Sequence, residues 1–205
     1  MDSLLSPSAG TSLVCGPDID HELQVVLAGC VRTLYQAISA PNATTACAFT
    51  STVLSDALTR VGIEARAVSA GVEGEIAEGK FGIGHPAYPL ARPGAWKGHA
   101  CCMIGDVLVD PTISNIRRVG IEAPLMVAVR ADRAWHPSAR LTLTPGIRLS
   151  WLPTDVDLAA HPDLRSPLRG PATARAAAAL AQYLDSHAIG AIAHRAVTVP
   201  AALAR

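Results

Sequence analysis

The spacing of apolar residues changes period along this chain, and that change most limits the folds open to it. Between residues 20 and 39, Leu23, Val26, Leu27, Val31, Leu34 and Ile38 recur at helical spacing, forming one buried stripe. Pro41-Asn42 breaks the pattern. A second helix is predicted over residues 46–60, with Thr44 or Thr45 as N-cap and Gly62 at C′. Its core-facing stripe is Phe49, Val53, Leu54, Ala57 and Leu58. Beyond it the period drops to two, the spacing of strands. Short strands are predicted at 63–70, 99–104, 107–109 and 125–130, with Gly105-Asp106 as a tight turn between the second and third. Leu141, Leu143, Ile147, Leu149 and Trp151 alternate around Pro145-Gly146, which predicts a further hairpin. Residues 71–98 read as a long loop with one strand near Glu75, and 153–171 as a Pro- and Asp-rich loop. Residues 172–188 read as a helix ending at Gly190. The order is helix, helix, antiparallel strands, helix, an α+β layout. The expected division is a flexible segment at 1–19, a core at 20–152, and a loop with a helical appendage packing on that core at 153–205.

Half of the 205 residues are hydrophobic and 17% are charged, enough for a sizeable core and too apolar for global disorder. Seventeen basic residues balance seventeen acidic ones. A chain without net charge has no global field to draw nucleic acid or an anionic membrane, and neither partner is expected. Residues 1–20 lack a basic stretch followed by an apolar core, and no apolar run is long enough to span a bilayer, so a cytoplasmic location is expected. Five cysteines, none in CxxC spacing, argue against a disulfide framework or a zinc ribbon. By default each is a small buried hydrophobe.

Cys47 departs from that default. It falls in the first turn of the second predicted helix, where free backbone N–H groups and the helix dipole stabilise a thiolate. The same N–H groups can receive an oxyanion. A cysteine nucleophile needs a base, and the base needs an orienting group. His99 opens a predicted strand, after Gly98, and Asp110 ends the next one, in Leu108-Val-Asp110-Pro-Thr112. With Gly105-Asp106 as the turn, His99 and Asp110 are diagonal neighbours, about 7–8 Å apart at the backbone. Gln36 and Asn42 are candidate oxyanion donors. His85, Tyr88 and Trp96, in the long loop, are candidates for a substrate cleft.

Taken in order, these residues resemble the transglutaminase-like superfamily, which includes papain-fold bacterial cysteine peptidases and acyltransferases. The likeness covers roughly residues 40–115. Cys47 starts a helix that runs into Gly62-Ile-Glu-Ala-Arg66 and a strand, Gly98-His99 opens another, and Asp110-Pro-Thr112 closes the next. The resemblance implies N-terminal helices packed on an antiparallel sheet. It also implies Cys47 as nucleophile, His99 as general base and acid, and Asp110 as orienter. Many members carry an aromatic residue soon after the histidine, where this chain has Cys101 and Cys102. The Arg-Gly-Gly-x-Cys signature of arylamine N-acetyltransferases is absent.

The expected chemistry is acyl transfer through a Cys47 thioester on a peptide, amide or amine substrate, without cofactor or metal. Two other classes compete: a non-catalytic binding module on the same fold, and a zinc protein using Cys101, Cys102 and histidines. Cys102 and His99 should point to opposite faces of their strand, which weakens the zinc alternative.

Overall fold

A computed structural model describes residues 13–37, 46–84, 98–131 and 139–187. In chain order the elements are β1 (Leu13–Cys15), α1 (His21–Ala37), α2 (Ala46–Arg60), β2 (Ala65–Ile76), β3 (Gly79–Ile83), β4 (His99–Ile104), β5 (Val107–Asp110), a 3-10 segment (Ile113–Val119), β6 (Met126–Arg130), β7 (Ala139–Thr144), β8 (Ile147–Pro153), α3 (Pro162–Leu168) and α4 (Pro171–Ser186). The α+β layout read from the period change is the architecture observed.

Local chemistry explains the element ends. Asp20 accepts the Glu22 N–H at 2.8 Å and caps α1. Gly62 follows α2 at φ 85°, the left-handed conformation that a glycine adopts without strain. Gly105, at φ 57°, makes the tight turn between β4 and β5. The resulting register pairs Ile104 with Val107, Met103 with Leu108 and Cys102 with Val109.

The eight strands form one sheet in the order β1-β6-β5-β4-β2-β8-β7, with β3 added to β2. It curls until β7 approaches β6, giving a nearly closed barrel. Only the β1–β6 pair is parallel among the described strands. The outer face carries Cys102, Ile104, Val107 and Val109 and is covered by α1, α2 and α4, whose Leu27, Leu54, Leu58 and Leu180 are almost fully buried. Burying each such leucine contributes about 1.5–3 kcal/mol. The inner face is filled by Val68, Val72, Cys101, Leu108, Val127, Leu149 and Trp151. Among the described residues no helix is long and apolar enough to cross a membrane.

Four stretches differ from the sequence reading. Residues 71–76 continue β2, which contains the strand expected near Glu75, and 79–83 form β3 where loop was expected. Glycines hid the alternation: a Cβ at Gly74 would stand 2.0 Å from the Phe81 ring, so the glycine exists to seat that ring across the strand pair. Leu13–Cys15, inside the expected flexible segment, pair with β6, as three residues too few to show a period. Pro162 and Pro167 suggested loop, yet α3 lies there, with Pro162 at its start, where the missing N–H has no intrahelical partner to lose. The 3-10 segment after Asp110 was not anticipated. The expected N-caps Thr44 and Thr45 lie outside the described residues.

Candidate functional site

The hairpin register brings His99 and Asp110 together. His99 is the first residue of β4 and Asp110 the last of β5. His99 Nε2 donates to Asp110 Oδ2 at 2.7 Å, with both side chains essentially out of solvent. A carboxylate only accepts, so this bond places the ring proton on Nε2 and leaves Nδ1 as the nitrogen that can exchange a proton.

Asp110 is itself held from two further sides. Trp151 Nε1, on β8, donates to Oδ2 at 2.9 Å. The Thr112 N–H donates to Oδ1 at 3.0 Å, and Thr112 Oγ1 lies 3.3 Å from the same oxygen. Burial disfavours the charged carboxylate, but the His99 charge and the bonds from His99, Trp151 and Thr112 outweigh it, and the pKa is lowered. For His99 burial again opposes charge, and the Asp110 carboxylate overrides it, holding the imidazole pKa well above its ordinary value.

A third side chain joins the pair. Cys101 lies two residues beyond His99 on β4 and therefore on the same face. Ligand atoms of His99, Cys101 and Asp110 all lie within 4.8 Å of one another. Cys101 is fully buried, and burial together with the Asp110 charge pushes its thiol up to about 12 despite the offset from His99. The register would have revealed this neighbour, because continuing the Cys102–Val109 and Met103–Leu108 pairing sets Cys101 directly opposite Asp110. The Trp151 bond had no such signal, since β2 and β4 separate its strand from β5.

Cys47 is the second residue of α2, on the outer face of the sheet. Ser51, one turn further on, donates its hydroxyl to the Ala100 carbonyl at 2.9 Å. Thr59, near the other end of α2, donates to the Ala65 carbonyl at 3.3 Å, and Ala65 pairs with Ile104. The helix thus runs along β4 in the same direction, with its N-terminal turn at the His99 end. Cys47 shares a buried cluster with Ala48, Ala100, Leu158, Leu164 and Leu168 and is 7% exposed. Among the described residues no hydrogen bond joins Cys47 to His99, and Cys101 rather than Cys47 is the cysteine packed against the His99–Asp110 pair.

The end of β4 is fixed by another glycine. Gly84 has φ 61°, and a Cβ there would stand 2.2 Å from the His99 backbone nitrogen. Gly84 is thus pressed against the strand start that carries the imidazole. Asn42, His85, Tyr88 and Trp96 lie outside the described residues, as does the side chain of Gln36.

Comparison with known proteins adds little. No family model and no curated protein matches the chain. A solved structure of a genomics target matches at 14% identity over 87% of this chain and 78% of its own, with a TM-score of 0.35.

Proposed function

We propose that the chain is a cysteine-dependent acyl-transfer enzyme of transglutaminase-like or papain-like fold, with Cys47 as nucleophile, His99 as proton carrier and Asp110 as orienter. The observation that carries this reading is the buried His99–Asp110 pair, fastened by Trp151 and Thr112, at the end of β4 against which the first turns of α2 pack. His99 shares the inner face of β4 with Cys101, so this reading has its imidazole reach a thiol on the helix side past the start of the strand.

In this reading the raised basicity of His99 favours a thiolate–imidazolium pair with Cys47. The thiolate Sγ attacks an amide or ester carbonyl carbon, and the charge on the carbonyl oxygen falls near the free N–H groups of the first turn of α2. His99 gives its proton to the leaving amine or alcohol as the carbon–heteroatom bond breaks. Water or a second amine then attacks the thioester while His99 takes its proton, and the thiol is regenerated. Water yields peptidase or amidase chemistry, and an amine yields transamidation.

Intact mass after exposure to activated peptide esters and amides tests the proposal. A single acyl adduct on Cys47, absent from Cys47→Ala and slowed by about 10²–10⁴ in a folded His99→Ala protein, is the expected result. An adduct on Cys101, or none on any cysteine, overturns it.

The His99, Cys101 and Asp110 cluster supports a second reading, a metal site with those three ligands. The donor set suits zinc, with Zn–S near 2.3 Å and Zn–N near 2.0–2.1 Å. Against it, Asp110 Oδ2 already accepts two hydrogen bonds. Stoichiometric zinc in the purified chain, lost in Cys101→Ala and retained in Cys47→Ala, would favour this reading over the first.

A further inference from the structure

Among the described residues, the first half of β2 has one edge without a partner strand. β4 pairs with its residues Ala65 to Ala70 on one side. On the other side β8 reaches only to Ala70, which faces Pro153, and the chain then turns away. The Thr154 N–H donates to the Ser69 carbonyl at 3.2 Å, so the Ser69 peptide groups point to the β8 side. Peptide directions alternate along a strand, which aims the N–H and C=O of Ala67 the same way. Among the described residues neither group has a backbone partner. Unpaired edges of this kind are templates for another strand.

That edge opens on a pocket of about 610 Å³, walled on its far sides by α2 and the stretch around Leu158. Arg66 and Arg169 both line it, and neither forms an ion pair among the described residues. Two carboxylates, Asp56 and Asp157, share the wall. Asp157 Oδ1 accepts the N–H groups of Ala159 and Ala160 at 2.8 and 3.2 Å, and Asp56 stands in the field of Arg60. Ala67, Leu158 and Leu168 belong both to this pocket and to the cluster that buries Cys47, so the two share part of their walls, although Cys47 itself does not line the pocket.

We propose that this pocket binds an extended peptide as an added strand on β2, hydrogen-bonded to the N–H and C=O of Ala67, with an acidic side chain held by Arg66 and Arg169. Main-chain pairing gives such a site affinity for any extended segment, and the two guanidinium groups select carboxylate. The proposal rests on the reading of Cys47 as acting on a peptide amide and names the substrate class of that site. Its test is read without turnover.

The probe is a fluorescein-labelled, C-amidated pentapeptide of alternating valine and glutamate, titrated by anisotropy into the full chain carrying Cys47→Ala. Saturable binding is expected, with slowed hydrogen exchange at the Ala67 amide. N-methylation of the central peptide amide should weaken binding about tenfold, the effect of one or two net hydrogen bonds. Ala67→Pro should do the same, because proline lacks the edge donor and fits a free strand edge. Lysine in place of glutamate, or Arg66→Ala with Arg169→Ala, should also cost about tenfold and remove most of the salt dependence. No binding, equal affinity for the N-methylated probe, an unprotected Ala67 amide, or occupation of the edge by a second copy of the chain in gel filtration would each overturn the proposal. Absence of an acyl adduct on Cys47 would overturn the enzymatic reading and leave this peptide site standing.

Discussion

Trp151 donates its indole N–H to Asp110 Oδ2 at 2.9 Å although its strand and that of Asp110 are separated by two others in the sheet. The curl of the sheet makes this contact, and it gives one carboxylate oxygen two buried donors, the other being His99. Trp151→Phe keeps an aromatic ring and removes the donor. It should lower unfolding free energy by about 2–4 kcal/mol, from a lost bond to a charged group plus the smaller ring, measured by urea titration. An unchanged midpoint and slope would show that the bond contributes nothing.

Asp110→Asn tests the charge itself. Without the carboxylate, burial is opposed only by Cys101, so the His99 pKa should fall from its raised position, read from the imidazole proton shifts in an NMR titration. The amide can donate to the ring and so hold the wrong tautomer, and turnover per folded molecule should drop by less than the roughly 10⁴ known for the serine triad. Full turnover in the folded variant would move the orienting role elsewhere, with Asp106 and Asn115 next in line.

The same pair sets a pH window for stability. Asp110 has a lowered folded pKa, so its contribution is present above the unfolded value near 3.8 and is lost as pH falls through the folded one. His99 has a raised folded pKa, so its contribution is complete below 6.5 and is lost as pH rises through the folded value. Melting temperature should therefore be highest between about pH 4 and 6.5, and the falls on either side of this range should shrink in the Asp110→Asn, His99→Ala double variant. Identical pH profiles for the double variant and the parent would refute this linkage.

Cysteine reactivity separates the candidate nucleophiles. Cys30, Cys101 and Cys102 are fully buried, and burial raises the pKa of each. Cys15 is only half-buried, and burial raises its pKa as well. Peptide mapping after brief iodoacetamide treatment should find Cys47 modified first, with a rate that falls at least tenfold in His99→Ala. Earlier modification of Cys15 or Cys101 would count against Cys47.

Gly84→Ala probes the seat of the imidazole. A Cβ at φ 61° and 2.2 Å from the His99 nitrogen requires the start of β4 to move. A loss of about 2–4 kcal/mol is expected, with displaced amide resonances from His99 to Cys101. Parent-like stability would mean that the close approach relaxes freely.

What the sequence determined by itself was local. The stripes Leu23 to Leu34 and Val53 to Leu58, the Gly62 stop and the Gly105-Asp106 turn specify their elements through nearest neighbours, because helix period, capping and tight-turn chemistry act within a few residues. The turn also dictated the diagonal placement of His99 and Asp110, so two members of the candidate site were legible before folding. Tertiary structure decided the rest. Whether Gly71 and Gly74 lie in a loop or a strand depended on Phe81 and β8 arriving beside them. Trp151 reaches Asp110 only because the sheet curls. Cys47 meets the His99 end of β4 only because α2 lies along that strand, fastened by Ser51 to Ala100. These contacts join residues tens of positions apart, and no pattern within a short window carries the packing of one element on another.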